Sequence, residues 1–243
     1  MKIRRGIIVI LLFILFFIFG CVSDYPYYNN IVFNNKQIPL LEILNNTAYG
    51  YTSIMAYSSI YLIPFLLSLN NFFFSESNIY IIRRKNRKNI YLERIKRIIL
   101  VSLLMCSIHM IINFILMFTF FQLNYLIERN FILYSILNLI EISMFYILVG
   151  VIFYIFLDFT KKFNISLIIT NVIFIGLFFL HKVIGFNFWT PLKDLIVLGQ
   201  LLDNTITLID VLIIYIRQSL IIFLSAYIGY GVFNERDFIK NEK

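Results

Sequence analysis

Apolar residues dominate six stretches of the chain, at residues 6–22, 53–74, 98–121, 131–157, 165–180 and 209–230, and polar residues gather between them. A helix needs about 20 apolar residues to cross a hydrocarbon core about 30 Å thick, because the backbone inside it must satisfy its own hydrogen bonds. Each stretch therefore predicts a transmembrane helix. The first and fifth are short, and the second is the most polar, with Ser58, Ser59, Pro64, Ser68 and Asn70 inside it. The pattern predicts an all-α polytopic membrane protein of six spans, a single domain over residues 1–243 with no Pro-, Gly- or Ser-rich linker and no internal repeat.

The most charged interruption is "YIIRRKNRKNIYLERIKRI", Tyr80 to Ile98. From Asn89 onward, Ile90, Leu92, Ile95 and Ile98 recur at mainly helical spacing, while Lys88, Arg94 and Arg97 can point elsewhere. That alternation predicts a short amphipathic helix between spans two and three, lying along the membrane surface and running into span three. Basic residues also set the orientation, since Lys and Arg resist translocation. With the N-terminus inside, sixteen fall on the cytoplasmic face: Lys2, Arg4, Arg5, Arg83, Arg84, Lys85, Arg87, Lys88, Arg94, Lys96, Arg97, Lys161, Lys162, Arg236, Lys240 and Lys243. The opposite face holds four, Lys36, Arg129, Lys182 and Lys193, and Arg217 lies inside a span. Both termini are expected in the cytoplasm. "MKIRR" with the apolar run after it also fits a signal peptide, and "IFGC" approximates a lipoprotein box at Cys21. Phe19 is bulky where such boxes take small residues, so the run is read as the first span.

Composition agrees with the pattern. A chain that is 60% hydrophobic, 18% aromatic and 14% charged cannot hide its apolar groups in one water-soluble core. Frequent Ile, Asn, Lys, Phe and Tyr suggest an AT-rich coding genome, in keeping with a bacterium. Cys21 and Cys106 lie in separate apolar stretches and form neither a disulfide framework nor a metal pair. His109 and His181, the two histidines, stand in no H-E-x-x-H motif and in no nucleophile frame, so the chain is not expected to be an enzyme. Nucleic acid is not an expected partner, because no aromatic stacking platform accompanies the basic loop. Contact with anionic lipid headgroups is.

Six spans, both ends inside, a long outer loop after span one and the basic segment from Tyr80 to Ile98 together resemble the permease subunits of type-2 ATP-binding cassette (ABC) transporters, the exporter class. The loop is similar to the coupling segment those permeases present to their ATPase, particularly in small permeases of bacterial peptide export and bacteriocin immunity. The resemblance implies that Arg83, Arg84, Arg87, Ile90, Tyr91, Leu92, Arg94 and Ile95 touch the ATPase. It also implies two ATPase copies, and a second permease that is either an identical copy or a paralogue, in a bacterial plasma membrane. A short re-entrant or interfacial structure is implied before the last span, where Thr190 can cap a helix that has Pro191 first and Leu192, Leu195, Ile196 and Leu198 following. The chain departs from the family pattern in having only Met1 to Arg5 ahead of span one. No G-x-x-x-x-G-K-[ST] loop occurs, so the resemblance implies that ATP-Mg is bound by the partner subunit and that no cofactor is expected on this chain. The outer loop, with "YPYYNN" at residues 25–30, suits an amphipathic peptide or lipid substrate and equally suits a structural interfacial loop with an aromatic belt. An accessory or sensor subunit that binds a partner without forming a pathway would share the same topology.

Two charges interrupt the spans away from their ends, Glu141 in the fourth and Arg217 in the sixth. Each costs at least about 2.5–3.5 kcal/mol near the bilayer centre and is expected to face inward and find a partner. Counted from the span starts, they lie about 15 and 12 Å deep on the same side, which predicts a Glu141–Arg217 pair, with His109, Asn113 or Asn138 near enough to join.

Overall fold

The computed structural model describes residues 7–22, 45, 49–72, 87–184 and 189–235. Every regular element among them is helical. In chain order they are α1 (Ile7–Val22), a π-helical turn (Ala56–Ile60) leading into α2 (Leu62–Phe72), α3 (Arg87–Phe120), α4 (Leu123–Glu128), α5 (Phe131–Thr160) and α6 (Phe163–Ile184). A 3-10 turn (Lys193–Ile196) then leads into α7 (Val197–Leu202), and α8 (Leu208–Glu235) follows.

Four of the described helices, α3, α5, α6 and α8, are long and apolar enough to cross a membrane. The sequence-predicted first and second spans are apolar but shorter helices, so six full-length spans are not seen among the described residues. The second is irregular for a local reason. Pro64 has no N–H to give Ile60, and just before it Tyr61 N–H reaches back five residues to Ala56 O at 2.8 Å, which widens the turn. The fifth stretch, short by its apolar count, is a helix of 22 residues because polar groups extend it at both ends.

α5 is the hub, with buried positions on most of its faces, and α2, α3, α4, α6, α7, α8 and the 3-10 turn all pack on it. Gly150 sets the closest approach: a Cβ there would lie 2.5 Å from Ile98 Cγ2 and 3.3 Å from Leu69 Cδ1. By contrast α8 buries one narrow stripe, Val211, Ile214, Gln218, Gly229 and Phe233. Its other faces show Leu212, Ile216, Leu220, Phe223 and Leu224 at 58–69% exposure, a large apolar surface that suits lipid tails rather than water.

The basic segment does not form a separate surface helix. From Arg87 it is one unbroken helix of 34 residues with span three, about 51 Å long against a core of about 30 Å. Its first turns therefore continue the axis of the span beyond the hydrocarbon, at the end of the bundle where α5 and α8 finish. This basic end stands opposite the end that carries residues 189–207. Arg83 and Arg84 lie outside the described residues, as does the loop from residue 23 to residue 44.

Candidate functional site

At the end opposite the basic one, the segment after α6 turns back into the bundle. Leu192, Leu195 and Leu198 are fully buried, as are Val197 and Asp194 to within 2%. Thr190 does not cap this turn: its hydroxyl lies 3.3 Å from His181 Nδ1, and the turn is closed by Lys193 N–H to Thr190 O at 3.0 Å. The start of α7 is capped from outside, where Leu198 N–H donates to Asn138 Oδ1 of α5 at 3.3 Å. A buried helix start needs such an acceptor for its unpaired N–H groups.

Asp194 is the acid that meets Arg217. The guanidinium Nη2 donates to Asp194 Oδ1, Gln218 Nε2 donates to Oδ2 at 3.0 Å, and Trp189 Nε1 reaches the same carboxylate at 3.3 Å. The Arg217 guanidinium also lies 4.7 Å from the centre of the Trp189 ring. Burial raises the Asp194 carboxyl above its ordinary value, and Arg217, Trp189 and Gln218 pull it back. The predicted Glu141–Arg217 pair is thus corrected. The inserted turn brings an acid closer to Arg217 than α5 does, which a depth count along two spans could not register. Glu141 remains within electrostatic reach of both Asp194 and Arg217, is fully buried, and has no hydrogen-bond partner at either oxygen.

From this cluster a buried polar chain runs across the bundle. Asn138, bonded to Leu198, gives its Nδ2 to Tyr51 O at 3.3 Å, and Tyr57 Oη donates to that same carbonyl at 2.8 Å. Tyr57 Oη lies 2.9 Å from His109 Nδ1. With its one hydrogen given to Tyr51 O, the hydroxyl is the acceptor there and Nδ1–H the donor. Tyr146 Oη in turn donates to Tyr57 O at 3.2 Å, in the widened turn. His109 does not join Glu141. It sits in an aromatic box, stacked on Phe16 at 4.5 Å and edged by Tyr51 at 5.2 Å and Tyr61 at 5.1 Å.

At the basic end the residues expected to meet an ATPase divide by face. Ile90, Tyr91 and Arg94 turn inward at 1%, 7% and 2% exposure, Ile95 is half-buried, and Arg87 and Leu92 are exposed. Arg94 Nη1 donates to Asp158 Oδ2 of α5 at 2.5 Å, and its guanidinium carbon lies 4.6 Å from the centres of both the Tyr154 and Phe233 rings. Tyr91 Oη donates to Ala226 O at 2.7 Å, in space left by Gly229, where a Cβ would come within 2.6 Å of that hydroxyl. Arg87 Nη1 donates to Asn234 O. The basic segment is therefore fastened to α5 and α8 through one face and free on the other, where Lys88, Leu92 and Lys96 are exposed.

Reading the sequence alone overlooked Asp158, Asp194, Gln218 and Trp189. Asp194 carried a signal, being an acid inside the apolar run "PLKDLIVLGQLL", and Trp189 is the one tryptophan in the chain. Among the described residues no group of three or more His, Cys, Asp or Glu is placed to hold a metal. Comparison with protein-family models, curated proteins and solved structures finds no match.

Proposed function

We propose that the chain is the membrane permease subunit of an ABC exporter, moving an amphipathic peptide or lipid-like substrate and driven by ATP hydrolysis on a separate ATPase subunit. The observation that carries this reading is the buried turn at residues 190–202, which enters the bundle between the last two long helices. Irregular backbone at membrane depth is tolerated where it is buried in protein or lines a cavity, and it occurs at functional sites of transport proteins. Support at the opposite end comes from a basic helix that outruns the hydrocarbon core and is bolted to α5 and α8. Motion imposed on that helix would pass directly to the hub, and along α8 to Arg217 and the inserted turn.

The free face of the segment, Lys88, Leu92 and Lys96, is the surface this reading gives to the ATPase; Ile90 and Arg94 hold the helix in place. With the chain and its ATPase produced together, Leu92→Glu combined with Lys88→Glu and Lys96→Glu should abolish copurification and ATP-dependent efflux while the chain stays in the membrane at its normal level. Ile90→Glu should instead lower the amount of folded chain. Efflux that continues unchanged in cells lacking the chain would favour the accessory-subunit reading.

A further inference from the structure

The cluster at the inserted turn contains two carboxylates, Glu141 and Asp194, and one guanidinium, Arg217. Asp194 takes hydrogen bonds from Arg217, Gln218 and Trp189. Glu141 has none at either oxygen, although it is fully buried. A second observation is independent of Glu141: Gln218, also fully buried, bonds Asp194 through Nε2 and leaves Oε1 without a partner. The site thus holds three buried acceptor atoms with no donor, one buried donor, Arg217 Nε, with no acceptor, and one negative charge in excess if both acids ionise. A carboxylate withdrawn from water with no donor is among the most costly arrangements a protein can contain. One proton removes both deficits, since it cancels the excess charge and turns one acceptor into an O–H donor.

We propose that Glu141 is a proton-binding site, neutral in the arrangement seen here, and that its ionisation draws Arg217 from Asp194 toward Glu141 and so loosens the inserted turn. The exchange is a simple acid dissociation: the carboxyl O–H bond breaks, the electron pair stays on Glu141, and a water molecule carries the proton away. Arg217, 37% accessible along its side chain, is where the cluster meets the surface. The charged and titratable groups that act on Glu141 are Asp194 from the inserted turn and Arg217 and Tyr215 from α8. On the neighbouring elements, His109 of α3 is enclosed in its aromatic box, His181 of α6 is bonded to Thr190 and acted on by Lys193 of the 3-10 turn, Asp210 of α8 is bonded to Thr207, Glu128 ends α4, and Asp158 at the far end of α5 is paired with Arg94. The proposal does not rest on the transport reading, and it stands or falls without any ATPase.

The test uses the full chain in lipid nanodiscs and two readouts. Infrared spectra at neutral pH should contain the carbonyl stretch of a buried protonated carboxyl, and Glu141→Gln should remove it. Trp189, the sole tryptophan, lies against Arg217 and reports on the pair: its emission should change with a one-proton dependence on raising the pH, and Glu141→Gln should abolish that change. Asp194→Asn should move the transition to lower pH, because a neighbouring negative charge no longer opposes ionisation. A wild-type spectrum lacking the band overturns the proposal, as does a band or transition that survives in Glu141→Gln. So does failure of Glu141→Gln to fold at neutral pH, since the amide reproduces the neutral acid.

Discussion

Arg94 is a charged side chain at 2% exposure, held by one carboxylate and two aromatic faces. Its environment explains why a residue expected to point away from the Ile and Leu positions and to touch an ATPase turns inward instead. The planar guanidinium can accept a ring on each side while its edge donates to Asp158, a geometry unavailable to lysine. Removing Asp158 would leave that charge buried and uncompensated, which typically costs about 3–5 kcal/mol. Asp158→Asn should therefore lower the thermal unfolding midpoint in detergent sharply, and Arg94→Met added to it should restore most of the loss. A single substitution as benign as the double one would mean that the pair holds nothing together.

The helices depend on short connections, and the α5–α6 junction, like those on either side of α4, is two residues long. Lys161 closes α5 in the left-handed conformation at φ 59°, with its N–H on Leu157 O at 2.9 Å. A side chain with a Cβ is strained there by about 1 kcal/mol, and glycine is not. Lys161→Gly should raise stability by about 1 kcal/mol in equilibrium unfolding. Asn130 and Asn204 have φ values of 52° and 54° in the other tight turns, and asparagine tolerates this region better. α8 is started differently, by Thr207 and Asp210: the carboxylate accepts from Thr207 N–H and its hydroxyl, both at 2.8 Å, and Asp210 N–H points back to that hydroxyl. This reciprocal box, which the sequence reading passed over, was legible as T-x-x-D before an apolar run. The widened turn before α2 was not, because Pro64 announces a break without saying which carbonyls will be released or what will bond them.

For the whole molecule, the two ends have different chemistry. One gathers Arg87, Lys88, Arg94, Lys96, Arg97, Lys161 and Lys162 in the described residues, and the other carries the inserted turn with Arg129, Lys182 and Lys193. The excess of positive charge predicts that the basic end faces the cytoplasm. With the half-buried Cys21 replaced by serine and Cys106 left in its buried site, Asn204→Cys should react with an impermeant maleimide on intact cells. Asn89→Cys should react only after permeabilisation. Both positions are exposed in the structure, so labelling at Asn89 from outside would reverse the orientation.

Periodicity and composition by themselves determined the helical class, the positions of the long apolar helices and the charge contrast between the two ends. Those properties follow from local rules: a hydrocarbon core admits only backbone that bonds to itself, and basic groups resist crossing it. The tertiary structure alone decided which polar groups meet. Asp194 takes Arg217 because a broken segment folds inward, Arg94 is enclosed because α5 and α8 end beside the start of α3, and His109 is boxed by aromatic rings from α1 and the segment around the π-helical turn. Such partners lie 23 and 64 residues apart for the two ion pairs, and their distance in space depends on how helices pack rather than on how far along each one a charge falls.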